Sequence, residues 1–229
     1  MKWGVVVFPG SNCDADCVDV LRSVLRQDVT ALWHQSTSLA GCGAIVLPGG
    51  FSYGDYLRTG AVAKFSPIMR AVSSFARDGG LILGICNGFQ ILLESGLLPG
   101  AMLPNTGLRF RCKEVTLRVE RADTVFTNQF RQGQVVRMPI AHYEGRYTAP
   151  AGPLGRIREH ALFRYCDESG APTDAANPNG STDHIAGLMN GAGNVMGMMP
   201  HPERAAEPAL GSGDGRLIFE SMLQAVGVA

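Results

Sequence analysis

Three side chains in this 229-residue chain have the types that nucleophilic acyl chemistry needs: Cys86, His201 and Glu203. Cys86 stands in Gly84-Ile85-Cys86-Asn87-Gly88-Phe89-Gln90, directly after the apolar run Leu81-Ile82-Leu83. A buried strand that ends in a cysteine and turns at once into a helix holds a thiol at the tip of a sheet. A free thiol has a pKa of about 8.5 and is little ionised at neutral pH; the first turn of a helix, with its unpaired N–H groups and its dipole, favours the thiolate. Glycines on both sides of the cysteine suit a sharp turn with close backbone packing, as in the G-x-S-x-G elbow of serine hydrolases. His201 ends another apolar run between Pro200 and Pro202, which restrict its backbone. Glu203 follows two residues later and is placed to hold the imidazole by its other nitrogen, fixing tautomer and orientation. A thiolate, an imidazole and a carboxylate suffice to open an amide through a thioester and to hydrolyse it.

A developing oxyanion needs N–H donors. Pro48-Gly49-Gly50-Phe51 follows a buried run and should reach the same sheet edge as the elbow, so an N–H from Gly49-Gly50 together with that of Asn87 would serve. His142, in Pro139-Ile140-Ala141-His142, ends another strand and is placed at the pocket wall. Plainer readings cover the rest. A glycine pair often makes only a turn. A free cysteine is usually a small core residue, which is the reading for Cys13, Cys17, Cys42, Cys112 and Cys166. Ser11 to Asp16 reads as a helix cap. His34, His160 and His184 have no evident partner, and Asp123 and the exposed arginines read as a solvated face. No G-x-x-x-x-G-K-[ST] loop and no G-x-G-x-x-G after a strand is present, so no nucleotide cradle is expected.

The elements that must position these groups follow from hydrophobic period. Residues 5–8, 29–33, 44–47 and 81–85 read as buried strands. Residues 14–26, 67–77 and 87–94 read as helices between them, the second with proline at its start. That alternation predicts an α/β, three-layer, flavodoxin-like fold: a mostly parallel sheet with helices on both faces. The pattern changes after Pro99. Residues 109–120, 135–140, 156–166 and 185–189 read as strands with few helices between, which predicts a mixed or antiparallel extension. Residues 169–183 read as a surface loop, 194–199 as a returning strand that ends at His201, and 215–226 as a final helix. No repeat and no long linker divides the chain, so residues 1–229 are expected to form one domain.

Composition narrows the partners. Hydrophobic residues make up 45%, enough for a large core, and 20 basic side chains balance 20 acidic ones. That balance gives no electrostatic reason to expect nucleic acid or an anionic membrane. No run is long enough to cross a bilayer, and the amino terminus does not read as a signal peptide. A cytoplasmic location with reduced thiols is expected. No C-x-x-C pair occurs, and no metal site is expected. The charged fraction of 17% is low, which suits buried surface at a subunit contact or simply a large core.

Taken together these residues resemble the triad-type, class I glutamine amidotransferases, whose glutaminase domains carry a G-x-C-x-G-x-Q elbow and a late H-P-E. Phe8-Pro9-Gly10-Ser11-Asn12-Cys13-Asp14, Pro48 through Arg58, Pro139-Ile140-Ala141-His142, Asn177-Pro178-Asn179-Gly180-Ser181 and Gly197 through Arg204 look like the glutaminase subunits of phosphoribosylformylglycinamidine synthases. The resemblance runs from first strand to last helix. It implies Cys86 as nucleophile, His201 as general base and acid, Glu203 as its orienting partner, and Gly50 and Asn87 as oxyanion donors. It implies contacts to glutamine from Gln90 and the Phe51 region. Tyr143 stands where a smaller residue would be expected. The resemblance further implies glutamine as substrate, no cofactor on this chain, and ammonia delivered to a large synthetase subunit that carries ATP and magnesium, with a small bridging subunit. Two rivals have the same elbow or the same layers: a cysteine hydrolase or stress-protein relative, and a non-catalytic flavodoxin-like binding module. The first need not carry Gln90 or the His-Pro-Glu, and the second would tolerate loss of Cys86.

Overall fold

The computed structural model describes residues 1–149 and 154–227. Its elements run β1 (Lys2–Val7), α1 (Asp14–Asp19), β2 (Asp28–Trp33), β3 (Ala44–Leu47), α2 (Ile68–Arg77), β4 (Leu81–Ile85), α3 (Asn87–Glu94), β5 (Ala101–Leu103), β6 (Arg111–Val119), β7 (Val135–His142), β8 (Arg146–Thr148), α4 (Leu154–His160), β9 (Ala161–Tyr165), β10 (Ile185–Met189), β11 (Val195–Met198) and α5 (Arg216–Ala225).

Nine strands make one sheet in the order β2-β1-β3-β4-β11-β10-β9-β6-β7. The first five are mutually parallel; every later pairing is antiparallel. The two arms have the burial patterns their geometry demands. In the parallel arm every residue of β3 and β4 is buried, because helices cover both faces. In the antiparallel arm β7 alternates exposed or half-buried with buried residues, because one face meets water. A single apolar core runs through both arms, from Trp3 and Val5 to Phe163 and Leu188. Trp3 of β1 meets Phe219 of α5 edge-on at 6.4 Å, which fixes the last helix against the first strand.

Two expectations need correction, and one element is unanticipated. Residues 156–160 form the end of α4 rather than the start of a strand. Ile157 is buried, flanked by polar neighbours in a pattern that mimics strand alternation, while Arg158 and His160 in the last turn suit the negative end of a helix. The helix expected over 14–26 is shorter as α-helix and continues as a π-helical stretch over Val20–Val24. A separate two-stranded ribbon, β5 with β8, has no counterpart among the expected elements.

Two features of the sheet position the site. β4 and β11 are parallel neighbours in register Ile85↔Met198, and the Cys86 N–H donates to the Met198 carbonyl at 2.8 Å. The chain therefore leaves both strands at one edge, with Cys86 on one and Met199-Pro200-His201 on the other. The antiparallel arm also reaches this edge: the His201 N–H donates to the Pro139 carbonyl of β7 at 2.9 Å.

Candidate active site

Cys86 caps α3 with φ 48° and ψ −102°, a left-side backbone conformation that an L-residue adopts at a cost of about 1–3 kcal/mol. Its neighbours explain how the chain tolerates this. A Cβ on Gly88 would lie 1.9 Å from the Leu47 carbonyl oxygen, and one on Gly84 would lie 2.8 Å from the Gly88 carbonyl carbon. Glycine at both places lets the backbone of α3 sit directly on β3 and β4, so the turn between strand and helix is held from below. The Cys86 thiol is buried and points toward the Ala141 carbonyl at 3.8 Å. Asn87 occupies the first helical position, where an N–H has no acceptor within its own helix.

His201 and Glu203 are both buried, and Nδ1 of the imidazole lies 2.6 Å from Oε1 of the carboxylate. Burial alone would depress the histidine; the negative charge of Glu203 and the sulfur of Cys86 outweigh it and hold the imidazole protonated well above its ordinary 6.5. Because Glu203 takes Nδ1, the other nitrogen is free, and Nε2 is buried with no hydrogen-bond partner. Such a nitrogen is available to a nucleophile or a leaving group.

Cys86 and His201 line one cavity of about 210 Å³, together with Gly50, Phe51 and Ala141. Gly50 has φ 140° and a Cβ there would lie 2.7 Å from the Asn12 amide nitrogen, so only glycine fits between β3 and the turn after β1. Phe51 is half exposed at the cavity wall. Its own N–H donates to the Gly10 carbonyl at 2.9 Å, which ties the glycine loop to the first turn of the chain.

Gln90, given a substrate contact by the resemblance, and His142, expected at the pocket wall, have their side chains committed elsewhere. Neither Gln90 nor His142 lines the cavity. Gln90 is buried, donates to the Glu144 carbonyl at 2.5 Å and accepts from the Asn87 amide at 2.9 Å. It binds the elbow to the turn after β7. His142 lies with Nδ1 3.1 Å from Asn105 Oδ1, and its ring fills the space over Gly145. The Asn87 side chain is likewise internal, accepting from the Ser52 N–H at 3.2 Å.

Sequence reading missed Cys13, Phe110 and Arg204, all of which line the same cavity. The Cys13 sulfur accepts from Arg204 Nη2 at 3.2 Å, and Arg204 Nε donates to Asp16 at 3.1 Å. Arg204 adjoins the His-Pro-Glu signature, a signal that could have drawn it in. Cys13 stands in the family-like run Phe8 to Asp14, but the usual core reading of a free cysteine covers it.

His142 and His201, both buried, titrate in opposite senses. His142 is pushed down to about 4, first by burial and then by the charge on His201. Its unfolded form therefore takes up a proton before its folded form does. Stability from this group is complete above 6.5 and is lost as pH falls toward 4; between pH 7 and pH 5 the loss is about 2 kcal/mol. His201 has the opposite sign, since its raised value contributes stability that is complete below 6.5 and is lost as pH rises. The comparison that isolates His142 is urea unfolding of the protein and of His142→Asn at both pH values. The variant should lose about 2 kcal/mol less on acidification; an identical loss in both would refute the assignment.

A family model for the CobB/CobQ-like glutamine amidotransferase domain matches residues 1–213. The phosphoribosylformylglycinamidine synthase subunit PurQ of Moorella thermoacetica is 60% identical over 97% of this chain and 95% of its own length. The same subunit of Salinibacter ruber is 56% identical over 99% and 97%. Among solved structures, PurLQS from Thermotoga maritima aligns with a TM-score of 0.88 at 44% identity, covering 98% of both chains. A glutamine amidotransferase from Thermotoga maritima aligns at a TM-score of 0.57 with 15% identity, covering 98% of this chain and 90% of its own, and shares the fold alone.

Proposed function

The chain belongs to the CobB/CobQ-like glutamine amidotransferase family, and from that premise we propose that it is the glutaminase of a multisubunit phosphoribosylformylglycinamidine synthase. It hydrolyses glutamine to glutamate and supplies ammonia to a large synthetase subunit, with a small bridging subunit in the same complex. The synthetase converts formylglycinamide ribonucleotide to its amidine in purine biosynthesis. The observation that carries this reading is the meeting of Cys86 with the His201–Glu203 pair at one cavity, on the ends of two adjacent parallel strands.

The geometry supports a two-step reaction. Cys86 sulfur attacks the side-chain amide carbon of glutamine, and negative charge gathers on the amide oxygen. The N–H groups of Gly50 and Asn87 are the donors this reading assigns to that oxygen. As the C–N bond breaks, His201 gives its proton to the departing ammonia. The imidazole, held by Glu203, then takes a proton from water, which attacks the thioester, frees glutamate and returns the thiol. Phe51 forms the wall beside the substrate. Gln90 and His142 act by positioning: one holds the elbow to the turn at Glu144, the other packs beneath the pocket.

Ammonia released into bulk water would be protonated and lost to synthesis, so it must pass directly to the second site. ATP and magnesium belong to the synthetase in this reading, and residues 1–229 form one glutaminase domain in the cytoplasm. Among the described residues no helix is long and apolar enough to cross a membrane.

The loop after Gly50 bears on how the partner acts. Tyr53, Asp55 and Leu57 all have φ near 55–71°, an unusual density of left-handed non-glycine residues. Leu57 and Tyr56 stand exposed at 91% and 76%. A strained loop with uncovered apolar side chains, attached to an oxyanion donor, is suited to being settled by the synthetase. Ammonia release from glutamine should therefore rise by about two orders of magnitude when the isolated chain joins its partners, the effect of completing one oxyanion donor. Equal turnover alone and in the complex contradicts partner dependence. No release of ammonia in either state returns the reading to a cysteine hydrolase of another substrate.

A further inference from the structure

Cys13, His201 and Glu203 each place one potential ligand atom within 4.8 Å of the others, and all three side chains are buried. In tetrahedral zinc, with bonds of about 2.0–2.3 Å, ligand atoms stand about 3.5 Å apart. Small side-chain shifts would close this triangle around an ion. One sulfur, one imidazole nitrogen and one carboxylate oxygen are a donor set that zinc prefers over magnesium or calcium.

A second observation points to a cation at the same place. Glu203 Oε2 is buried and has no hydrogen-bond partner, so half of a desolvated carboxylate is uncompensated. At the Cys13 end of the cluster stands Arg204, whose Nη2 lies 3.2 Å from the Cys13 sulfur while Nε is held by Asp16. That side chain is 39% exposed, so it has solvent to swing into, at the cost of its Asp16 contact, when another cation arrives. Cys13 and His201 line the same cavity as Cys86, so a water or the Cys86 sulfur is the candidate for the fourth ligand.

We propose that Cys13, His201 and Glu203 form an inhibitory zinc site inside the glutaminase pocket. Binding displaces two protons, one from the Cys13 thiol and one from the imidazole nitrogen that takes the metal; both go to solvent, and no oxidation is involved. The ion engages Glu203 and one nitrogen of His201, so the imidazole can no longer exchange protons with substrate. Inhibition rests on the catalytic reading of His201 and Glu203, whereas occupancy of the site does not.

The test separates the two. Cobalt(II), a spectroscopic stand-in for zinc, is titrated into the full-length Cys86→Ser chain, which keeps Cys13 but lacks the nucleophile. The expected result is one equivalent bound with a thiolate-to-cobalt charge-transfer band and tetrahedral d–d bands. Both should vanish in Cys86→Ser with Cys13→Ala, and in the gentler Cys86→Ser with Cys13→Ser the charge-transfer band should vanish. In the assembled complex, zinc should suppress glutamine turnover reversibly with chelator. Cys13→Ala should shift the inhibiting concentration upward by about tenfold or more, relative to its own zinc-free rate. Unchanged cobalt spectra in the double variants, or equal zinc sensitivity with and without Cys13, overturns the site. Cobalt bound through Cys13 without zinc inhibition keeps the site and overturns its inhibitory role.

Discussion

Replacing Cys86 with serine should lower glutamine-dependent synthesis by the assembled complex by at least about four orders of magnitude and leave synthesis from ammonium salts near its original rate. Serine is close in size to cysteine and can occupy the same cap, so the strained turn at φ 48° and the packing of α3 persist. What changes is the group proposed as nucleophile. A hydroxyl in place of the thiol is far harder to ionise, and His201 is arranged to serve a sulfur rather than to deprotonate an alcohol. The ammonium-fed reaction bypasses this pocket, because the synthetase receives its nitrogen directly. The two assays run on one preparation, and thermal unfolding of the variant checks that the glutaminase chain is intact. Loss of both activities would assign Cys86 a structural part in the complex. Survival of glutamine-dependent synthesis would remove the thioester from the mechanism.

The parallel arm was legible because its strands are buried on both faces. Ala44–Leu47 and Leu81–Ile85 carry no exposed position, so they read as unbroken apolar runs between turn residues. The antiparallel arm was legible in kind but not in its bounds. Residues 156–160 hold one buried apolar side chain among polar ones, and five such residues do not distinguish period 2 from period 3.6. Only the packing of Ile157 settles the matter. The ribbon of β5 and β8 was out of reach for another reason: each strand has three residues, shorter than any period can register.

The site divides in the same way. The elbow and the His-Pro-Glu run are local, and each contains within a few residues the geometry it needs: a glycine-flanked turn, and an imidazole two residues from its carboxylate. Cys13 became part of the pocket only through contacts across the chain, with Arg204 lying 191 residues away. Gln90 and His142 show the reverse case. Polar residues close to a nucleophile invite a substrate role, yet a buried amide or imidazole must first find partners. Glu144 and Asn105 provide them, and neither could be paired from sequence order alone.

Gly88→Ala should destabilise the protein by about 2–4 kcal/mol and cut glutamine turnover in the complex by about a hundredfold. Helix propensity argues the other way, since alanine in a helix gains about 1 kcal/mol over glycine. Space decides. The new methyl would stand 1.9 Å from the Leu47 carbonyl oxygen, 2.6 Å from its carbonyl carbon and 2.9 Å from its Cβ. To reach even 3.0 Å from that oxygen the two backbones must part by 1.1 Å (3.0 − 1.9). Leu47 cannot yield cheaply, because β3 lies between β1 and β4 and pairs with Gly84 at this point. The movement therefore falls on α3, which carries the Asn87 N–H and anchors Cys86. A displacement of that size takes the proposed oxyanion donor and the sulfur out of line together. Gly213→Ala is the matched control: its methyl would meet only Pro208, at 3.7 Å, and stability should change by no more than about 0.5 kcal/mol. Urea unfolding and glutamine turnover of the two variants decide the matter. A Gly88→Ala protein as stable and as active as the parent would show that the helix is not seated on the strand, and the account of the elbow would fail with it.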